Sequence, residues 1–262
     1  MSLLPIEFPA GDNAVPSDAS LARNLDVLRD RIARTCGRCG REPSSVQLIA
    51  VTKGVDALMV RKAVALGISD LGENRVQEAL LKQRTLAEGE GSRVKGERPS
   101  PSPDAPVRWH LIGHLQRNKA DDAAQCFDMI HSVDSLRLAD ALEDCASKRG
   151  RTVDALVQVN VAGEATKFGC RPEEAIELAG RVAAQPHLRL RGLMTIAPHA
   201  DDPEQVRPHF RALRALRDIL QSRSPGPLSL SMGMSGDFEV AIEEGADLIR
   251  IGTALFGPRL VP

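Results

Sequence analysis

Three sets of residues in this 262-residue chain could carry chemistry. The first is Lys53. It follows the apolar run Leu48 to Val51 in "LIAVTKG", which reads as a buried strand. Lysine is among the residues least often buried unless paired. Partial desolvation or a second cation nearby lowers its pKa and makes a nucleophilic amine able to form a Schiff base. The second set is "SMGMSGD" (231–237) with "RIGTALFG" (250–257). Gly233, Gly236 and Gly252 allow close backbone approach, Ser235 and Thr253 offer hydroxyls, and such loops suit a phosphate group. The third is a pair of metal-like spacings, Cys36 with Cys39 in "CGRCG" and His110 with His114 in "HLIGH". A single CxxC is weak, and reads better as the small-residue end of a first helix. The two histidines lack further ligands, so no metal is expected. His110 reads equally well as lining a pocket or as a structural histidine.

These residues must be positioned by the elements around them. Leu21, Leu25, Leu28 and Ile32 recur at helical spacing over 18–35. Eight strand-like runs then follow, at 46–51, 68–73, 107–114, 127–134, 154–162, 188–196, 228–233 and 247–252. Helical patterns separate them, among them 56–66, 135–149 and 203–222. Alternating strands and helices imply an α/β fold with a parallel sheet. Eight units in about 215 residues suit a closed (β/α)8 TIM barrel with an extra N-terminal helix. A doubly wound open sheet is the alternative, weakened by the lack of GxGxxG after the first strand. Residues 1–17 read as a loose lead-in, 18–262 as one domain, and 89–106 as a surface insertion rich in Gly, Pro and Ser.

In a barrel, functional groups gather at the C-terminal ends of the strands. Lys53 lies just past the first strand. Arg250 lies near the end of the eighth, with Ile249 and Ile251 on the opposite face. Closure makes those strands neighbours, so Lys53 and Arg250 are expected at one site, beside the two glycine loops.

Bulk composition narrows the classes. Net charge is −1, which gives no general pull toward nucleic acid or anionic membrane. No apolar run approaches a membrane span of roughly 18 residues. The first residues lack a secretory pattern, and five cysteines in a chain of this size fit a reducing cytoplasm. Aromatics are 3% and tyrosine is absent.

The runs "LIAVTK", "GENRVQEA", "WHLIGHLQRNK", "IHSVDS", "VNVAGEATKFG", "GLMTIAP" and "LSMGMSGDFEVAIEEGADLIRIGTALFG" resemble the pyridoxal phosphate homeostasis protein family over about residues 20 to 257. The resemblance implies a fold-type III pyridoxal-phosphate barrel, like that of alanine racemase. It implies that Lys53 holds pyridoxal 5'-phosphate as an internal aldimine, that Arg250 faces the pyridine nitrogen, and that Ser235, Gly252 and Thr253 bind the phosphate. Asn74 and Met232 match positions lining the ring. Lys167 matches a family lysine near the site that is not catalytic. Many relatives carry a second lysine and a proline after the first; here the run is "KGVD".

An arginine facing the pyridine nitrogen keeps it unprotonated and makes the ring a poorer electron sink. Racemisation needs an acid and a base on opposite faces of the substrate, and related racemases supply one as a tyrosine from a second domain. This chain has no tyrosine and shows no such domain. The expected function is therefore to hold pyridoxal phosphate, limit its free concentration and supply it to apoenzymes, without efficient amino-acid turnover. The expected state is a monomer or weak dimer. The alternatives are a pyridoxal-phosphate-dependent amino-acid racemase or a phosphosugar-type barrel lyase using the Lys53 amine.

Overall fold

The computed structural model describes residues 18–89 and 107–258. The lead-in expected over 1–17, the last four residues and all of the 89–106 insertion but Gly89 lie outside the described residues.

In chain order the elements are α1 (Asp18–Arg38), β1 (Gln47–Val51), α2 (Ala57–Ala65), β2 (Asp70–Glu73), α3 (Val76–Gly89), β3 (Arg108–Leu111), α4 (Ala120–Cys126), β4 (Met129–Val133), α5 (Leu136–Lys148), β5 (Val153–Gln158), α6 (Ala175–Ala183), β6 (Leu188–Met194), α7 (Arg207–Gln221), β7 (Ser229–Ser231), α8 (Phe238–Glu243), β8 (Leu248–Ile251) and α9 (Thr253–Phe256). The eight strands form a closed barrel in sequence order, every pair parallel, with β1 against β8. This is the α/β (β/α)8 barrel expected, and it excludes the open sheet.

Seven of the eight strands fall within the expected runs, trimmed at the ends where the chain turns away from its neighbours; β5 begins one residue earlier than expected, at Val153, and ends at Gln158 rather than 162. Three helices open with a 3-10 turn instead of starting directly, over Arg117–Lys119, Pro172–Glu174 and Pro203–Val206. Asp56 and Ser135 cap α2 and α5 by accepting from the Met59 and Leu138 amides. The short helix α9 is an addition to the sequence reading, since four residues give no helical period to detect.

Apolar residues separate into two sets by strand parity. Ile49, Met129, Leu156, Met194 and Leu248 fill the barrel interior. Ala50, Leu71, Ile130, Val157, Leu193, Ile249 and Ile251 point outward into the layer beneath the helices. α1 buries Leu21, Leu25, Leu28 and Ile32. It lies across α8 and α9, where Arg31 pairs with Glu239 at 3.1 Å and Asn24 donates to the Leu255 carbonyl at 2.9 Å.

Cys36 is buried on the last turn of α1, and the Cys39 thiol donates to the Thr35 carbonyl at 3.2 Å. The pair thus closes a helix. Among the described residues, no cluster of three or more His, Cys, Asp or Glu is placed to hold a metal ion, and no helix is long and apolar enough to cross a membrane.

Candidate cofactor site at the barrel mouth

Ile49 pairs with Arg250 in the β1–β8 register. Ile49 belongs to the interior set, as does Leu248, so Arg250 projects into the barrel and Ile249 and Ile251 outward. Arg250 is 4% exposed. Its Nη1 donates to Ser231 Oγ at 2.7 Å and its Nη2 to the Thr195 carbonyl at 2.7 Å. Burial pushes the guanidinium pKa down to about 10, with Asp237 opposing, so it remains a cation at neutral pH. No acceptor for its Nε–H exists among the described residues.

Lys53 stands beyond β1, on the same strand parity as Ile49 and Val51, exposed and with no partner among the described residues. Its neighbours are tied down on both sides. The Lys82 ammonium donates to the Thr52 carbonyl at 2.6 Å, and the Gly54 amide donates to Glu78 Oε1 at 2.6 Å. Lys82 is itself held by Glu73 at 2.6 Å and Glu78 at 2.9 Å, and the Thr52 hydroxyl donates to Glu73 at 2.6 Å. The result is a fixed backbone with one free amine at its apex.

Burial raises the Glu73 carboxyl, against its bonds from Lys82 and Thr52. At Glu78 burial also opposes ionisation, but bonds from Lys82 and the Gly54 amide outweigh it and the carboxyl sits below its ordinary range.

A cleft of about 420 Å³ joins Lys53 to Asn74, Arg75, His114 and Lys119. Asn74 is half-buried at its wall. A Cβ on Gly113 would lie 2.4 Å from the Asn74 carbonyl oxygen, so glycine there lets the β3 loop press against Asn74.

Ser235, Gly252 and Thr253 lie on the other side, after β7 and β8. The Ala254 amide donates to Ser235 Oγ at 3.2 Å, which joins the two loops. Gly233 has φ +94°, and a Cβ there would lie 2.6 Å from that of Ala241, so this position is reserved for glycine. The amides of Ser235 and Gly236 have no acceptor among the described residues. A Cβ built on Gly236 meets nothing within 4 Å, so open space lies before them. Thr253 is exposed at the start of α9.

These features fit pyridoxal phosphate. Free loop amides and a hydroxyl suit a phosphate, a buried arginine with an unused N–H suits a ring nitrogen, and an unpaired lysine amine suits an aldehyde.

Met232 is placed otherwise. It is fully buried in the layer outside the barrel, on the opposite parity from Ser231, so its side chain does not line the mouth. Lys167 is engaged, donating to the Ala197 carbonyl at 3.0 Å and pairing with Glu164 at 2.8 Å. His114 is stacked on Phe168, ring centroids 3.7 Å apart.

His110 is the structural alternative realised in an unexpected form: fully buried inside the barrel, bonded to Asp70 and His131 rather than to backbone. Sequence reasoning missed Lys82, Glu73, Ser231 and His131. Lys82 had a signal. Val76 and Ala79 are buried on α3, and Lys82 comes next at the same spacing of three, on the inner face.

The alanine racemase N-terminal domain family matches residues 21–259. A curated relative from Aquifex aeolicus, called a pyridoxal phosphate homeostasis protein, is 43% identical over 90% of this chain and 96% of its own. The chain belongs to the pyridoxal phosphate homeostasis protein family. Among solved structures, PipY from Synechococcus elongatus PCC7942 with pyridoxal phosphate bound aligns at TM-score 0.73 and 37% identity, covering 90% of this chain and all of PipY. Alanine racemase from Clostridium difficile 630 shares the fold at TM-score 0.70 and 16% identity. That alignment covers 91% of this chain but only 56% of the racemase.

Proposed function

We propose that this chain binds pyridoxal 5'-phosphate at the barrel mouth and serves its supply, without efficient amino-acid turnover. The observation that carries the reading is Arg250: a cation buried inside the barrel, anchored through both terminal nitrogens, with Nε–H unused, on the strand beside the one that delivers Lys53. In PipY, 37% identical, the same cofactor is bound.

Bound there, the cofactor supplies an aldehyde that condenses with amines and a ring that can accept electrons. Lys53 would hold the aldehyde covalently. Arg250 would face the ring nitrogen and, as a permanent cation, keep it unprotonated. Ser235, Gly252 and Thr253 would hold the phosphate, together with the free amide of Gly236. Asn74 would flank the ring from the cleft side, and Met232 would contribute through its backbone, since its side chain is buried elsewhere.

The same geometry disfavours racemisation. An efficient racemase needs a second acid–base group opposite the lysine, and none of the 262 residues is a tyrosine. The cleft at Lys53 is open rather than closed from water, which shelters a carbanion poorly. Apoenzymes that require pyridoxal phosphate are the proposed recipients. The five free thiols fit a reducing cytoplasm, and the working unit is a monomer or weak dimer.

The test is transfer. The protein loaded with pyridoxal phosphate and freed of excess should restore activity to an apo-form of a pyridoxal-phosphate enzyme. Loading without transfer would leave a store that only sequesters the aldehyde and would remove the supply role.

A further inference from the structure

Arg250 is the end of a buried hydrogen-bond chain that crosses the barrel. Ser231 Oγ accepts from Arg250 Nη1 at 2.7 Å and lies 2.9 Å from His131 Nδ1. His131 Nε2 lies 3.0 Å from His110 Nδ1, and His110 Nε2 lies 2.9 Å from Asp70 Oδ1. Gln47 and Ser69 donate to the two Asp70 oxygens at 2.5 and 2.7 Å. Ser231, His110 and His131 are fully buried, and Asp70 is 6% exposed. Five strands contribute, from β2 and β3 through β4 and β7 to β8. Asp70 lines a cavity of about 550 Å³ at the other end of the barrel, beside α1.

The protons in this chain have one self-consistent arrangement. An arginine can only donate, and His131 Nδ1 is the one acceptor in reach of the Ser231 hydroxyl proton among the described residues, so that proton goes to His131 Nδ1. Burial, with His110, Arg250 and Arg108 nearby, holds His131 well below its ordinary pKa, so the ring is neutral and its one proton is on Nε2. That proton goes to His110 Nδ1. His110 then carries its proton on Nε2 and donates it to Asp70. The Asp70 carboxyl is penalised by burial, but the bonds from His110 and Ser69 outweigh this and keep it below its ordinary range. Every hydrogen thus points from Arg250 toward Asp70.

We propose that Asp70, His110 and His131 are positioning residues for Arg250. The chain polarises Ser231 as an acceptor, fixes Nη1 against it, and so sets the orientation of the Nε–H that faces the cofactor. Hydrogen bonds in series reinforce one another in a low-dielectric interior. A histidine pair without this role would serve only to fill the interior. The inference rests on the reading of Arg250 as the partner of the ring nitrogen.

Two measurements test it. In the apo-protein labelled with nitrogen-15 histidine, long-range proton–nitrogen spectra at neutral pH should show His110 and His131 both neutral and both protonated on Nε2. A cationic ring, or an Nδ1–H tautomer at either residue, would overturn the chain. In the loaded protein, with nitrogen-15 in the pyridine ring, His131→Leu should shift the ring-nitrogen resonance and the visible band of the bound cofactor. His131→Asn, whose carbonyl can accept from Ser231 where Nδ1 did, should restore both. Ser231→Ala removes a single oxygen from the same chain, keeps the test available if His131→Leu fails to fold, and should shift both signals in the same direction. Unchanged signals in His131→Leu and Ser231→Ala, with cofactor still on Lys53, would reduce the histidines to interior filling and overturn the proposal. Failure of the unsubstituted protein to take up pyridoxal phosphate would instead overturn the functional reading and the positioning role with it, while the apo-protein spectra would still report the chain.

Discussion

The Lys82 ammonium lies 2.6 Å from the Thr52 carbonyl, one residue before Lys53, and 2.6 Å from Glu73. A buried lysine therefore anchors the turn that presents an exposed one. The two cations are separated in role by the carboxylates: Lys82 has Glu73 and Glu78, and Lys53 has neither.

Removing Lys82 strands Glu73, which is fully buried and whose Oε2 already has no partner among the described residues. Lys82→Met should cost about 3–5 kcal/mol in chemical unfolding, the usual cost of breaking a buried pair. Adding Glu73→Gln should recover a large part of the loss, because the stranded charge is gone. Additive losses in the two single variants and the double variant would show that the pair is not coupled.

The phosphate side yields a ligand-specific prediction. Losing one hydrogen bond to a charged group costs about 1.5–3 kcal/mol, so Thr253→Val should weaken pyridoxal phosphate binding about tenfold to hundredfold. Unphosphorylated pyridoxal should bind nearly as before. Equal losses in titrations with both ligands would place Thr253 away from the phosphate.

Acid sensitivity should come from the barrel interior. His131 is depressed in the folded protein by burial, then by His110, Arg250 and Arg108. The unfolded chain therefore binds a proton that the folded one refuses once pH drops below about 6.5. Below that point folding stability should fall by up to about 1.4 kcal/mol per pH unit from this residue. Asp70, whose folded pKa is lowered, adds its own loss only in the carboxylate range, near pH 4 and below. Denaturant unfolding of His131→Asn should lack the first slope and keep the second.

The reading also predicts what the protein does not do. Alanine and other common amino acids should exchange their α-proton with deuterated solvent no faster than with free pyridoxal phosphate. Rapid exchange that vanishes in Lys53→Ala would make the chain an enzyme.

Much of this architecture is legible in the sequence. "VQLIAV" and "DLIRIG" announce strands because apolar runs bounded by Gly or polar residues have few other solutions, and their parity alone turns Arg250 inward. What the sequence hides is set by closure. Asp70, His110, His131 and Ser231 are far apart in the chain, and only the barrel brings them within hydrogen-bond reach. Met232 shows the opposite case. A position matched to a family motif need not present its side chain, and parity with the inward Ser231 already sends Met232 outward.

The central claim is that the Lys53 amine carries the cofactor, and covalent trapping tests it most directly. The protein is loaded with pyridoxal phosphate, reduced with borohydride, digested and analysed by mass spectrometry. A phosphopyridoxyl group on Lys53, absent in Lys53→Ala, is the expected result. The same group on Lys82, Lys119 or Lys167, with Lys53 unmodified, would contradict the account.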